Sequence, residues 1–157
     1  MASKKRSKSI FDSKFTPSAQ SSGRKENVRT EREVHESMPL LCFNFKDFDH
    51  AQCPPGQTFE QWQSNGRLAT LMKKLEDVCQ MTRTEAELQQ VLKVYGDFPR
   101  NSGFKKPAYI QGEVSWATIQ RIGGQKPRLA GYIIGSIFYP VFLDEEHCFY
   151  PSEKKHT

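Results

Sequence analysis

The residues best suited to catalysis in this chain are clustered near its C-terminal end, in the segment Asp144-Glu145-Glu146-His147. Histidine titrates near neutral pH, so His147 can act as a general acid or base, or carry positive charge against a phosphate. Neighbouring carboxylates can raise the pKa of that histidine or act as a base themselves. The alternative interpretation is a polar turn after a strand, in which Asp144 hydrogen-bonds to its own backbone.

A strip of basic residues between positions 105 and 128 precedes this cluster, and Trp116 and Tyr132 belong to the same predicted sheet region. We predict that it binds single-stranded RNA, because cations neutralise phosphates and flat rings stack on bases. An ordinary solvated sheet edge, whose lysines block strand pairing, is the alternative explanation of the same composition. The residues predicted to bind RNA are Lys105, Lys106, Trp116, Arg121, Lys126 and Tyr132.

Cleavage of RNA by its own 2′-hydroxyl requires a base, an acid for the leaving oxygen and cations on the phosphorane. His147, with Glu145 or Glu146, can supply the proton transfers, and Arg128 can supply positive charge. We therefore predict that the catalytic residues are His147, Glu145, Glu146 and Arg128. The reaction so composed is independent of metal ions and needs no cofactor.

The cysteines are informative about the cellular compartment and not about a catalytic reaction. The sequence contains four of them, none in a CxxC pair and with no export signal, which predicts free thiols in a reducing cytoplasm. His50 and Cys53 have the spacing of half a zinc site, but no second pair lies close in sequence, so we predict no metal site. No apolar run is long enough for a membrane span.

The net charge of +5 is concentrated at the N-terminus. Residues 1–25 carry seven basic side chains against Asp12 alone, so the remaining 132 residues sum to −1. We predict a disordered basic tail over residues 1–37, because a segment this polar buries too little surface to offset its ordering entropy. This tail is either solvated or an electrostatic arm toward RNA or the ribosome. A single α+β domain over residues 38–151 and a flexible tail over 152–157 complete the predicted organisation.

Two capping boxes predict the helices. Thr58-x-x-Gln61 places a helix start at Thr58, and apolar residues at three-or-four spacing extend the helix to about residue 81, with a bend near Gly66. The second helix is predicted to begin at Thr82-x-x-Glu85 or Thr84-x-x-Glu87 and to end at Val94 or Tyr95.

Alternating apolar residues predict the strands. Alternation from Leu41 indicates a first strand, and two runs rich in Ile, Val, Phe and Tyr meet at Gly135-Ser136, which predicts a two-residue hairpin turn. The predicted fold is α+β: an N-terminal strand, two helices, then an antiparallel three- to four-stranded β-meander packed on the helices.

The segment Arg128-Leu-Ala-Gly-Tyr132, with the turn and the hydrophobic strand that follow it, resembles the RelE/ParE-like toxin superfamily. The resemblance implies a RelE-like fold and a toxin-like, RNA-targeting protein that cleaves messenger RNA on the ribosome, paired with an antitoxin protein in the cytoplasm. By position, Arg128 would contact phosphate, Tyr132 would stack or orient, and His147 would lie where such toxins often place a catalytic group. The alternative is a non-catalytic module on the same fold that binds protein or RNA.

Overall fold

A computed structural model describes residues 38–152 of the 157-residue chain. The tail predicted over residues 1–37 lies outside the described residues, and so do residues 153–157 of the predicted C-terminal tail. Between residues 38 and 152 the chain forms three helices and five strands. They are β1 (Cys42–Phe43), α1 (Phe59–Ser64), α2 (Arg67–Val78), α3 (Arg83–Leu88), β2 (Leu92–Gly96), β3 (Ser115–Ile119), β4 (Arg128–Ile134) and β5 (Ile137–Asp144).

The five strands form one mixed sheet in the order β1-β5-β4-β3-β2. Strands β2 to β5 pair antiparallel with their neighbours, whereas β1 lies parallel to β5. The predicted hairpin turn is confirmed, because Ile134 pairs with Ile137 across Gly135 and Ser136. Gly135 has a φ of 59°, which glycine adopts without strain. The α+β class is confirmed, and the sheet is mixed because the first strand joins its far edge in parallel.

The second predicted helix is too long. Helix α3 begins at the predicted capping box, in which Thr82 and Glu85 exchange hydrogen bonds, but it ends at Leu88. Gln90 then adopts a φ of 57°, which interrupts the helix, and the following residues form β2. Residues alternate between the two faces of β2, so Leu92 is buried in the core while Lys93 is exposed. The sequence prediction had interpreted the apolar residues of this segment as helical spacing.

The first predicted helix is divided in two at the expected position. Thr58 and Gln61 form the predicted capping box at the start of α1. Gly66, with a φ of 77°, occupies the N-cap of α2, and the left-handed conformation turns the chain between the two helices. No helix within residues 38–152 is long and apolar enough to cross a membrane.

Each face of the sheet carries its own hydrophobic cluster. The helices cover the first face, where Trp62, Leu71 and Leu75 pack with Ile119 and Leu129. Loops cover the central part of the second face, and the end of that face beside Lys93 and Arg128 is left open as a cleft. The buried members of the second cluster are Phe104, Ile110, Trp116, Ala130, Tyr132, Val141, Phe142 and Phe149.

A β-bulge between β4 and β5 depends on Gly131. The register shifts between Ala130 and Gly131, and a Cβ atom at Gly131 would lie 2.0 Å from the carbonyl oxygen of Tyr139. Only a residue without a side chain permits this approach of the two backbones. The bulge sets the final pairing of the two strands, in which Arg128 lies opposite Asp144.

Candidate functional site: a cationic cleft at the end of the sheet

A cleft with a volume of about 810 Å³, open to solvent, lies at one end of the sheet. Adjacent strands supply its floor: Lys93 comes from β2, Gln120 follows β3 and Arg128 begins β4. Two loops supply the walls, one after β2 and the other after β5. The wall residues are Asp97, Phe98, Pro99, Arg100, Asn101, His147, Tyr150, Pro151 and Ser152, and Tyr95 of β2 also lines the cleft.

Positive charge dominates this cleft. Lys93, Arg100 and Arg128 are opposed by a single carboxylate, that of Asp97, among the residues that line it. The strands that carry Lys93 and Arg128 are fixed in a hydrogen-bonded sheet, so at least these two cations are held by a rigid support. An open cavity of this charge favours anionic ligands, since it raises their local concentration.

Arg128 is the residue whose surroundings point most directly to a ligand. Its Nε atom is buried, yet it has no hydrogen-bond partner among the described residues. A buried donor without an acceptor is unfavourable, and protein structures rarely leave one unsatisfied. Arg128 also lines the cleft, and a guanidinium suits phosphate particularly well because it can bind two oxygens at once.

His147 reaches the cleft from the loop that follows β5. Its φ of 61° is unusual for a residue with a side chain, and the surrounding loop holds the backbone in this conformation. Burial lowers the pKa of the imidazole, and the positive charges of Arg128 and Lys93 lower it further. The histidine is therefore neutral at physiological pH, the state in which it can accept a proton.

Asp144 organises this loop. Its buried carboxylate accepts hydrogen bonds from the backbone N–H groups of Cys148 and Phe149, each at 2.8 Å. Burial raises the pKa of Asp144, while these hydrogen bonds and the charge of Arg128 act in the opposite direction. The interpretation of this aspartate as the start of a polar turn is confirmed.

The two glutamates predicted to be catalytic do not line the cleft. Glu145 pairs with Arg67, with 2.6 Å between Oε1 and Nε, and its backbone N–H donates to Gln57. Glu146 lies 3.5 Å from the ammonium of Lys126 on an exposed surface. Both carboxylates are therefore engaged in ion pairs, and those pairs attach the loop to its neighbours.

The predicted RNA-binding strip is dispersed by the fold. Trp116 and Tyr132 are only 1% and 3% exposed, so neither ring is available to stack on a base. The two rings contact each other, and the Tyr132 hydroxyl donates a hydrogen bond to Asp47. Trp116 and Tyr132 had been selected for aromatic character, but the loops over the second face bury them.

The remaining cations of the strip also lie outside the cleft. Arg121 and Lys126 follow β3 in an exposed turn, and neither lines the cleft. Lys105 is exposed, with its backbone paired to Gln52, and Lys106 borders a smaller cavity. Of the predicted site residues, His147 and Arg128 line the cationic cleft, and Lys106 and Trp116 line the smaller cavity.

Sequence reasoning missed Lys93, Tyr95 and Tyr150. Lys93 and Tyr95 were assigned to a helix, although their separation by two residues would place both on one face of a strand. The ring of Tyr150 lies flat on that of Tyr95, with centroids 4.3 Å apart, and the Lys93 ammonium lies 5.2 Å from the Tyr95 centroid.

The cleft thus combines three cations, a neutral imidazole and two stacked phenol rings. Such a set can bind a phosphate ester, and the imidazole can move a proton beside it. Among the described residues, no group of three or more His, Cys, Asp and Glu side chains is arranged to hold a metal ion. Comparison of the chain with protein-family profiles, with curated proteins and with solved structures found no match.

Proposed function

We propose that this protein binds RNA and that the cationic cleft holds a phosphate group of the RNA backbone. The observation that carries the proposal concerns Arg128, which lines an open cationic cleft and has a buried Nε–H with no acceptor among the described residues. A phosphate oxygen would accept from it, and Lys93 would contribute further positive charge.

Two features support a polynucleotide as the ligand. The cleft is open to solvent, which suits a chain that enters and leaves rather than an enclosed small molecule. The same chain carries seven basic side chains within residues 1–25, and their positive charge would also attract a polyanion. The resemblance to RelE-like toxins favours RNA over DNA, and the cytoplasm is the compartment that this role implies.

Binding of a fluorescent single-stranded RNA to the full chain tests the proposal. Lys93→Ala and Arg128→Ala should each weaken binding by roughly tenfold or more, as the loss of a charge-assisted hydrogen bond or phosphate contact predicts. Lys73→Ala is the matched control, because this exposed lysine lies on helix α2, which packs on the opposite face of the sheet. Equal losses from Lys73→Ala and Lys93→Ala would contradict a site in the cleft.

A second candidate function is metal-independent cleavage of RNA, favoured by the neutral His147 beside Arg128. His147 would take the proton of a 2′-hydroxyl, whose oxygen would bond to phosphorus as the bond to the 5′-oxygen breaks. Arg128 would stabilise the phosphorane, and the Lys93 ammonium would supply the proton to the leaving oxygen. The products would be a 2′,3′-cyclic phosphate and a 5′-hydroxyl.

Expression in a bacterial host distinguishes cleavage from binding alone. A toxin-like endoribonuclease, of RelE type and paired with an antitoxin protein, should arrest growth, and His147→Ala or Arg128→Ala should relieve the arrest while the protein remains folded. In purified reactions with ribosomes, cleavage should persist in a metal chelator. Harmless expression, together with intact RNA, would exclude the nuclease and favour a binding module on this fold.

A further inference from the structure

Phosphate binding by the cations of the cleft does not account for the exposed ring of Tyr150. This side chain lines the cleft and is 40% exposed, while its ring stacks on Tyr95 with an angle of 13° between the ring planes. An aromatic ring that is stacked on one neighbour and still substantially exposed offers surface to a second planar group. The cations line the same cleft as this ring, so a phosphate and a planar group of one ligand could be bound there together.

The surrounding contacts hold this ring in place before any ligand arrives. The preceding residue, Phe149, is fully buried, and its backbone N–H donates to the buried carboxylate of Asp144. Phe149 also meets the ring of Tyr95 edge-on, with centroids 6.4 Å apart. Tyr95 is itself part of β2. Tyr150 is therefore anchored through its backbone and through its stacking partner, which lowers the entropy lost when a ligand binds.

We infer that Tyr150 is a stacking platform for a nucleobase, so that the cleft recognises a nucleotide unit of single-stranded RNA and not phosphate alone. This inference rests on the proposed function and specifies its ligand. The base stacks on Tyr150 while its phosphate contacts Arg128, with Lys93 and His147 beside it. A cleft volume of about 810 Å³ falls within the range of ligand sites and accommodates one such unit.

Stacking on a phenol ring predicts little preference for sequence. Every base presents a flat π-face, so the contribution of Tyr150 should be similar for purines and pyrimidines. Base pairing buries that face in a duplex, and the protein should therefore prefer single-stranded to double-stranded RNA of equal charge.

The decisive experiment compares two ligands of equal length and charge, a single-stranded RNA and the same strand with abasic residues. With the full chain, Tyr150→Ala should weaken binding of the intact strand by roughly 5- to 150-fold, which is the range that base stacking supplies. Its binding of the abasic strand should be unchanged. Tyr150→Phe should retain the affinity of the original protein. Tyr109→Ala is the control, because this exposed tyrosine lies outside the cleft.

Tyr150→Trp adds a direct readout of stacking. The two native tryptophans, Trp62 and Trp116, are 0% and 1% exposed, so they contribute a background that the ligand does not reach. The introduced indole should be quenched by the intact strand and unaffected by the abasic strand. This outcome, with the loss in Tyr150→Ala, supports the platform.

Two different results overturn two different claims. If Tyr150→Ala binds both strands as the original protein does, or loses affinity for both equally, the platform is wrong and phosphate binding stands. If Arg128→Ala binds both strands as tightly as the original protein, the proposed function is wrong as well.

Discussion

Arg128 and His147 line the same cleft, the first from the start of β4 and the second from the loop after β5. The pairing of Arg128 with Asp144 across the hairpin brings the two together, because the carboxylate of Asp144 folds the loop that carries His147. The charged end of β5 and the first residue of β4 are thus parts of one site.

Replacement of Arg128 should affect binding without unfolding the domain. Arg128→Ala removes a buried donor that lacks a partner among the described residues, but it also removes the positive charge that favours the buried Asp144 carboxylate. Because these two effects oppose each other, we expect weaker RNA binding and only a small change in the free energy of unfolding. Arg121→Asn is a suitable comparison, since Arg121 lies outside the cleft and its φ of 61° is tolerated by asparagine. Titration with labelled RNA and chemical denaturation measure the two quantities, and equal losses of affinity in both variants would contradict the assignment.

RNA affinity should rise as the pH falls from 7.5 to 5.5. Burial, together with Arg128 and Lys93, holds the pKa of free His147 below its usual value, and a bound phosphate would raise that pKa by stabilising the imidazolium. Binding should therefore take up a proton. The dissociation constant, measured across this range, should change less in His147→Gln than in the original protein. Identical pH profiles would show that His147 does not face the phosphate.

His147 should also make the stability of the free protein depend on pH, but in the opposite direction: the free energy of unfolding should fall as the pH falls. Because the folded-state pKa of His147 lies below the ordinary value near 6.5, the unfolded chain binds more protons between the two values. The stability contributed by the neutral imidazole is present above that ordinary value and is lost as the pH falls through the folded-state pKa. Urea unfolding at pH 7.5 and 5.5 should therefore show a smaller difference for His147→Gln than for the original protein.

Glu145 should prove structural. We expect Glu145→Gln to leave RNA binding unchanged and to lower the free energy of unfolding by about 1 kcal/mol or less, as for a partly exposed ion pair. A double-mutant cycle with Arg67→Gln isolates the pair, because the second substitution should cost little once the first is made. A large loss of RNA cleavage in Glu145→Gln, with stability intact, would restore the glutamate to a catalytic role.

Gly131→Ala should destabilise the fold by about 1–3 kcal/mol or more, because the added methyl group collides with backbone atoms that cannot move independently. Gly124→Ala is the matched control, since the nearest heavy atom to a Cβ there is a proline side-chain atom at 3.4 Å. Thermal unfolding of the two variants compares them directly. Similar melting temperatures would contradict the bulge geometry.

Local signals predicted much of the fold. The capping boxes at Thr58 and Thr82 and the turn at Gly135 each involve residues within a few positions of one another, so the sequence displays them directly. The end of α3 was missed because Leu88, Val91, Leu92 and Tyr95 fit helical spacing. Leu88 is in fact 78% exposed, and a left-handed Gln90 separates the helix from the strand.

The site was harder to predict because it depends on contacts distant in sequence. Arg128 and His147 were predicted as site residues from the chemistry of their side chains, which the sequence shows without any knowledge of the fold. Trp116 and Tyr132 are buried because loops fold over one face of the sheet. The sequence around each residue would look the same if its ring were exposed and free to stack, so the local sequence could not predict the burial. Lys93 reaches the cleft because β2 is a strand. The prediction of a helix at this position therefore also left Lys93 out of the predicted site residues.

The parallel pairing of β1 with β5 has a consequence for biosynthesis. Cys42 pairs with Ile137, so β1, the first strand within residues 38–152, has no partner in the sheet until β5 has been synthesised. In the interval Phe43, which packs edge-on against Phe138 in the finished domain, lacks that partner and is available to chaperones. We expect completion of the sheet to be a late event in folding, since the entropy of closing this long loop must be overcome first.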